Sequence, residues 1–436
     1  MTDDMAVGLA GFAALFLMIL LQVPVGIAMA LVGVIGTGIL IGLEPALALL
    51  AIEPSAALAS ESLAIIAMFL VMGNLAHAGG LSAELYRLAD DVFGQLKGGL
   101  IYATIGACAG FGAISGSSLA TTATMARVAL PEMLDRGYAR SIAAGAIAAG
   151  GTLGMIIPPS LVLILYGVLT ENSIIALFLA AIVPGCLAVA FYFLSVGVTV
   201  RLVPALAQTG SRKSLATQLT TVKQSWGVLA LIVAVTGGIY GGIFTVPEAA
   251  SVGASLALLL GVVRKKLTRS SFFESLSKTA SSTGMIFIII IGASIYSYFA
   301  TLSGLPNAAV QGIHSLGLPD WALLGALLLF YLALGAIFDT IAAMVLTLPV
   351  VYPLIIGMGY DPIWWGVINI VVLELGMITP PFGINVFVLH GMRSDLPLGQ
   401  IYRGIVPFLI ADILRLGLLV SVPALSLWLP RQLGWL

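Results

Sequence analysis

Apolar runs of membrane-spanning length, roughly 20 residues each, follow one another from Met5 to Leu429 with only short polar breaks between them. That feature decides the solvent. With 60% hydrophobic and 8% charged residues over 436 positions, and a mean hydropathy of +1.14, the chain lies far from the roughly 25% charged residues of a soluble domain. No stretch remains for a sizeable soluble domain, and membrane lipid is the expected surrounding. The first run follows Asp3 and Asp4 with no Lys or Arg before it and leads into further spans, so it reads as a true span and not as a cleaved signal peptide. A net charge of −1 argues against a nucleic-acid partner, because no basic face exists to release phosphate counterions. Cys108 and Cys186 lie inside apolar runs and read as small hydrophobes.

Spans are expected near residues 5–22, 25–43, 62–80, 141–168, 174–200, 226–244, 248–263, 279–302, 363–391 and 402–429. Short loops rich in Lys and Arg stay cytoplasmic. Arg87 and Lys97, Arg127 with Arg136 and Arg140, Arg201 with Arg212, Lys213 and Lys223, Arg264 with Lys265, Lys266 and Arg269, and Arg393 with Arg403 mark that side. The breaks holding Glu44, Glu53 and Glu61, then Glu171, Glu248, Asp320 and Asp361, carry neither residue and mark the other. Two apolar stretches do not fit simple crossing. Residues 98–126 lie between two basic loops, and residues 321–356 between two breaks without Lys or Arg. Each must enter and return. Folded at its centre, the first gives arms of about 15 residues, or about 22 Å of helix against a hydrocarbon core of about 30 Å. Two re-entrant hairpins are therefore expected, one opening from each side. Non-helical backbone at such tips persists only where it is buried in protein or lines a polar cavity.

The chain also matches itself. A shift of 222 or 223 residues places Val23-Pro24 on Val246-Pro247, Gly112-Ala113-Ile114 on Gly335-Ala336-Ile337, Gly137-Tyr138 on Gly359-Tyr360, and Gly154 to Pro159 on Gly376 to Pro381. Each half then holds five spans and a hairpin, and an odd number of crossings turns the second half upside down. The expected fold is an all-α polytopic membrane protein made of two inverted repeats, residues 1–222 and 223–436. Folds of this type belong to secondary transporters, whose sites lie near the midplane at discontinuous helices.

Four interrupted elements carry the chemistry. The first tip reads Gly112-Ala113-Ile114-Ser115-Gly116-Ser117-Ser118, and the span after it breaks at Gly150-Gly151-Thr152-Leu153-Gly154 and Pro158-Pro159-Ser160. The second tip reads Gly335-Ala336-Ile337-Phe338-Asp339-Thr340, and its partner span breaks from Gly376 through Thr379 and Pro380 to Gly383, followed by Asn385. Tandem proline removes amide donors and frees carbonyl oxygens, while glycine lets the backbone turn without a Cβ penalty. Carbonyls and hydroxyls suit a hard monovalent cation such as Na⁺, and half-helix N-termini suit an anion. Ser117, Ser160, Asn385 and Arg127 are the candidates for an anionic cargo. Asp339, an acid inside an apolar stretch, costs roughly 2.5–3.5 kcal/mol to insert and points to cation coordination or proton coupling, with a structural hydrogen bond as the plainer alternative. Thr121 and Thr122 read as helix packing. Asp412 and Arg415, at i and i+3, read as a buried structural ion pair. His77, His314 and His390 show no metal-ligand spacing, and neither a transition metal nor another cofactor is expected.

These runs, together with Gly241-Gly242-Ile243-Phe244-Thr245 and Glu248-Ala249-Ala250, resemble the large membrane subunit of tripartite ATP-independent periplasmic (TRAP) transporters over nearly the whole chain. The resemblance implies a bacterial or archaeal inner-membrane permease, not an enzyme. It also implies a small four-helix membrane subunit on a separate chain and a periplasmic substrate-binding protein that delivers an organic acid, such as sialic acid or a C4-dicarboxylate. Import would be driven by Na⁺ through an elevator movement, as in other ion-transporter-superfamily-like folds. Spans 5–43 and 226–263 would form the scaffold, residues 202–224 and 264–278 the cytoplasmic connectors, and residues 62–200 and 279–429 the transport domain. Carried over residue by residue, one Na⁺ site falls on Ser115, Gly116, Ser117, Ser118, Gly151, Thr152 and Pro158. The second falls on Asp339, Thr340, Gly376, Thr379 and Pro380, where Thr340 replaces the usual Gly. Competing readings are a stand-alone divalent-anion/Na⁺ symporter, a passive channel, and an intramembrane protease using a serine of the Ser-rich first tip with His390, or Asp339 with a second membrane acid, for which only Asp412 offers itself.

Overall fold

The computed structural model describes residues 3–208, 215–315 and 317–436. Every regular element among them is helical. The chain begins with α1 (Asp3–Leu20), α2 (Val25–Ile41), α3 (Leu43–Ala59), α4 (Glu61–Ala78) and α5 (Leu81–Phe93). There follow α6 (Gly99–Ser115), α7 (Ser118–Asp135), α8 (Arg140–Ile156), α9 (Leu161–Leu169) and α10 (Ile174–Leu202). After a 3-10 turn at Pro204–Leu206 come α11 (Leu215–Gln224), then α12 (Trp226–Ile232), which passes through a π-helical turn at Val233–Gly237 into α13 (Gly238–Tyr240). The rest is α14 (Val246–Val263), α15 (Arg269–Leu302), α16 (Leu305–Ser315), α17 (Asp320–Ile337), α18 (Thr340–Gly357), α19 (Pro362–Gly376), α20 (Ile384–Met392), α21 (Leu398–Ser421) and α22 (Ala424–Gln432).

The order of elements repeats. The pair α6/α7 corresponds to α17/α18, the interrupted α8/α9 to α19/α20, and α10 to α21. Gly137 and Gly359, which close the two hairpins, share a left-handed φ of +78°, a conformation that favours glycine. The halves also differ. In the first, Ser60 interrupts the chain in an extended conformation and its side chain accepts the Leu63 amide at 3.4 Å, so α3 and α4 are distinct. In the second, a Thr268/Ser271 capping box starts one uninterrupted helix of 34 residues, α15.

Several expected boundaries move. The stretch 264–278 is a short turn followed by the opening turns of α15, because nothing after the cap at Thr268 stops the helix. The break holding Glu44 and Glu53 is mostly helix α3. The second arm of the first hairpin runs past Ala126 to Asp135, which places Arg127 within α7 and not in a loop. The last expected span, 402–429, ends at Ser421, where Val422 precedes Pro423 and leaves the helical region. Of the connector 202–224, residues 209–214, with Arg212 and Lys213, lie outside the described residues, as does the side chain of His314.

Packing interleaves the halves. On α2, a Cβ at Gly26 or Gly33 would stand within 2.8 Å of the backbone of Ile288 or Ile295, so α2 and α15 meet almost main chain to main chain. The corresponding pair, α14 and α4, meets where Gly261 stands over Gly79. Small residues permit this close approach in a bilayer. Spans 62–80 and 279–302 pack chiefly on the second spans of the opposite halves, and they also touch the hairpin arms α6 and α18. Most deeply buried are α8, from Ile142 to Ile156, and α19, from Ile363 to Gly376.

Candidate functional site

Each hairpin turns on a residue suited to end one helix and begin another. Gly116 adopts φ +60° as the C-cap of α6, and Ser117 caps α7 by accepting the Ala120 amide at 3.4 Å. In the second hairpin Phe338 is extended, and Asp339 Oδ2 accepts the Ile341 amide at 3.1 Å to cap α18. The arms hold 17 or 18 residues instead of about 15, so length alone does not bar a crossing. By length and composition α17 and α18 each count among the helices able to cross a membrane. Both tips, with Ser117 and Asp339, line one cavity of about 350 Å³.

Behind each tip, hairpin and broken helix meet without side chains between them. A Cβ on Gly112 would stand 2.6 Å from Gly154 Cα, and one on Gly376 would stand 2.7 Å from Gly335 Cα. That intimacy brings main-chain carbonyls to the tip: a Cβ on Gly154 would stand 2.9 Å from the Ser117 oxygen, and one on Gly116 3.1 Å from the Pro159 oxygen. At the second tip, the Gly383 amide donates to the Ala336 carbonyl at 3.1 Å.

The cavity gathers Ser115, Gly116, Ser117, Ser118, Asp339, Thr340 and Arg127 from the expected set. Ser115 and Thr121 share a hydroxyl contact of 3.1 Å, and the Thr340 hydroxyl lies 3.1 Å from Met377 Sδ. Other expected residues lie elsewhere. Asn385 is buried and donates to Ser118 Oγ at 2.7 Å and the Ala148 carbonyl at 3.0 Å, tying α20 to the hairpin. Ser160 is buried as the cap of α9, accepting the Leu163 amide at 3.3 Å. Thr152 turns away from the tip toward Tyr192, at 3.3 Å. Thr379 donates to the Leu375 carbonyl at 2.6 Å. Gly151 makes room for the Thr122 side chain and Gly376 for the backbone of Gly335; Pro158 is buried and Pro380 exposed, and neither lines the cavity.

The opposite wall was not foreseen from the sequence. It comes from α4, with Asn74 and His77, and from α15, with Lys278 and Ser282. The Asn74 amide donates to Thr279 Oγ1 at 2.9 Å, and His77 Nδ1 lies 3.2 Å from Thr124 Oγ1 on α7. Asn74 and His77 stand three apart in an apolar span, which is the one sequence signal that marks this wall. Among the described residues no group of three or more His, Cys, Asp or Glu could hold a metal ion. The donors at the tips are hydroxyls, carbonyls and the Asp339 carboxylate.

Asp412 and Arg415 form the expected pair, with Nη2 at 3.0 Å from Oδ1. Glu374, unremarked in the sequence reading, joins them at 3.2 Å, so Asp412 is not the only further membrane acid. This cluster lies away from the cavity, and His390 Nδ1 sits 2.7 Å from the Leu396 carbonyl, also off the cavity wall. Neither arrangement assembles a protease site with Ser117 or Asp339.

The tripartite ATP-independent periplasmic transporter DctM component family model matches residues 12–425. The chain belongs to the DctM family. The C4-dicarboxylate TRAP transporter large permease protein DctM of Pseudomonas aeruginosa is 33% identical over 376 residues, which cover 86% of this chain and 87% of that protein. The isethionate TRAP transporter permease protein DctMQ of Oleidesulfovibrio alaskensis is 32% identical over 96% of this chain, and the match spans 65% of that longer protein. In fold, this DctM-family permease is similar to the crystal structure of the Alcanivorax borkumensis YdaH transporter, with a TM-score of 0.62 at 17% identity and 90% of each chain covered. The DctM-family chain is thus a multi-pass inner-membrane TRAP permease, a transporter subunit and not an enzyme.

Proposed function

We propose that this permease imports an organic anion with Na⁺, receiving it from a periplasmic binding protein and working beside a small four-helix membrane subunit. One observation carries the reading: the two helix-capping tips, Ser115 to Ser118 and Asp339-Thr340, share a cavity with the cationic side chains of Arg127 and Lys278. Hydroxyls, freed carbonyls and one carboxylate suit Na⁺. The guanidinium and ammonium suit a carboxylate or sulfonate. Each tip supplies one cation position, the second backed by the start of the break, where Met377 reaches the cavity. The relatives named for C4-dicarboxylates and isethionate both take anions by their names. The name DctMQ, on a longer protein of which the match spans 65%, supports a companion membrane subunit. The packing of α4 and α15 on the second spans supports a scaffold against which the hairpin-bearing body slides.

The test is uptake into proteoliposomes holding both membrane subunits, with binding protein and radiolabelled C4-dicarboxylate, isethionate or sialic acid outside. Uptake that requires an inward Na⁺ gradient and the binding protein is expected for at least one acid. Equal uptake without Na⁺ defeats the coupling, and full activity of the permease alone favours a stand-alone symporter.

A further inference from the structure

Two buried acids and one buried arginine sit in the membrane with no part in the cavity. Glu374 and Arg415 are 0% exposed and Asp412 1%, although each ion taken from water costs several kcal/mol and such clusters seldom repay that cost in stability. They form one line. From Thr152 Oγ1 the contacts run 3.3 Å to the Tyr192 hydroxyl, 2.6 Å from that hydroxyl to Asp412 Oδ2, 3.0 Å from Asp412 Oδ1 to Arg415 Nη2, and 3.2 Å from Nη2 to Glu374 Oε2.

The ends of the line are placed alike. Thr152 stands six positions before Pro158, and Glu374 six positions before Pro380, so each occupies the same place ahead of its own break. The middle is placed alike too, since Tyr192 lies eight positions after Pro184 of α10 and Arg415 eight after Pro407 of α21. A line of contacts drawn from equivalent positions of both halves, reaching α8 at one end and α19 at the other, joins the two interrupted helices whose breaks back the two tips.

We propose that Tyr192, Asp412, Arg415 and Glu374 are positioning residues that link the two breaks, so that a cation seated at one tip raises the affinity at the other. The proposal rests on the reading of both tips as Na⁺ positions. Its chemistry is plain: paired ions in a low-dielectric interior shift together, and Arg415 Nη2 lies against both carboxylates at once, so a tilt of α19 that carries Glu374 changes the hold on Asp412 and, through Tyr192, on α8. Stability alone would not require the line to begin and end at equivalent positions.

Equilibrium binding of radiolabelled Na⁺ to the purified chain tests it. Wild type is expected to bind with a Hill slope above one. Tyr192→Phe, which removes only the hydroxyl at the centre of the line, is expected to bind the same total with a slope of one and a half-saturating concentration several-fold higher. Thr152→Val cuts the terminal contact at conserved volume and is expected to act in the same direction, while Arg415→Lys restores part of the slope lost in Arg415→Gln. A purely structural role lowers the melting temperature and leaves the slope alone, and that result overturns the proposal. So does a wild-type slope of one, or loss of folding in both Tyr192→Phe and Thr152→Val. No Na⁺ binding by wild type is a different failure, and it falls on the assignment of the tips.

Discussion

Asp339 caps α18 through Oδ2 and also faces the cavity, so its structural role is compatible with the ion-binding role proposed for the same side chain. Asparagine keeps the cap and removes the charge. Asp339→Asn is therefore expected to leave the folded yield near wild type while Na⁺-dependent uptake falls at least tenfold, on the scale of about 1.5–3 kcal/mol for a charged hydrogen-bonding group. Ser117→Ala should act in the same direction more weakly, because the neighbouring carbonyls remain; uptake at wild-type rates in both variants, measured in proteoliposomes, removes the tips from the site. Arg127 lies on the cavity wall with its side chain exposed. Arg127→Gln is expected to raise the half-saturating anion concentration by about tenfold or more with little change at saturating Na⁺, and an unchanged value in an uptake titration counts against an anion contact.

At the scale of elements, α17 contains its own control. Gly335 and Gly325 lie on the same helix, but a Cβ on Gly335 would stand 2.8 Å from the Leu373 oxygen, whereas nothing lies within 4 Å of one on Gly325. Gly335→Ala is expected to destabilise by roughly 1–3 kcal/mol through overpacking. Gly325→Ala should be neutral or stabilising by roughly 0.5–1 kcal/mol, since glycine is a poor helix residue. Thermal unfolding in detergent, followed by gel filtration, distinguishes the two. Elements were legible where glycine and proline punctuate the chain: both hairpins, both breaks and the tip residues Ser117 and Asp339 announce themselves that way. What stayed hidden lacks that punctuation. α3 carries Pro54 and three acids in its vicinity, which read as a loop, and the fused α15 differs from α3 and α4 only by the missing interruption at Ser60. Asn385 and Ser160 illustrate a further limit, because sequence marks a polar residue at a break without saying which way it turns.

For the whole molecule, the cavity has α4 and α15 on one wall and the hairpin tips on the other, and the proposed elevator movement makes those walls two bodies that slide. His77 and Thr124 meet across that gap at 3.2 Å. A disulfide between His77→Cys and Thr124→Cys, on a background in which Cys108 and Cys186 are alanine, is expected to stop uptake and to release it on reduction. Unimpaired uptake in the cross-linked protein, with linkage verified by gel mobility, would mean that the bodies do not slide past each other. That wall was hard to read in the sequence because α4 and α15 come from different halves and meet through pairs such as Asn74 and Thr279, 205 positions apart in the chain. The length of α15 has its own outcome. At 34 residues it measures about 51 Å, while the hydrocarbon layer is about 30 Å thick. The excess of about 21 Å is taken up by tilt and by an end that stands clear of the hydrocarbon, like the handle of an oar, and any lean of the immersed blade is magnified at that handle.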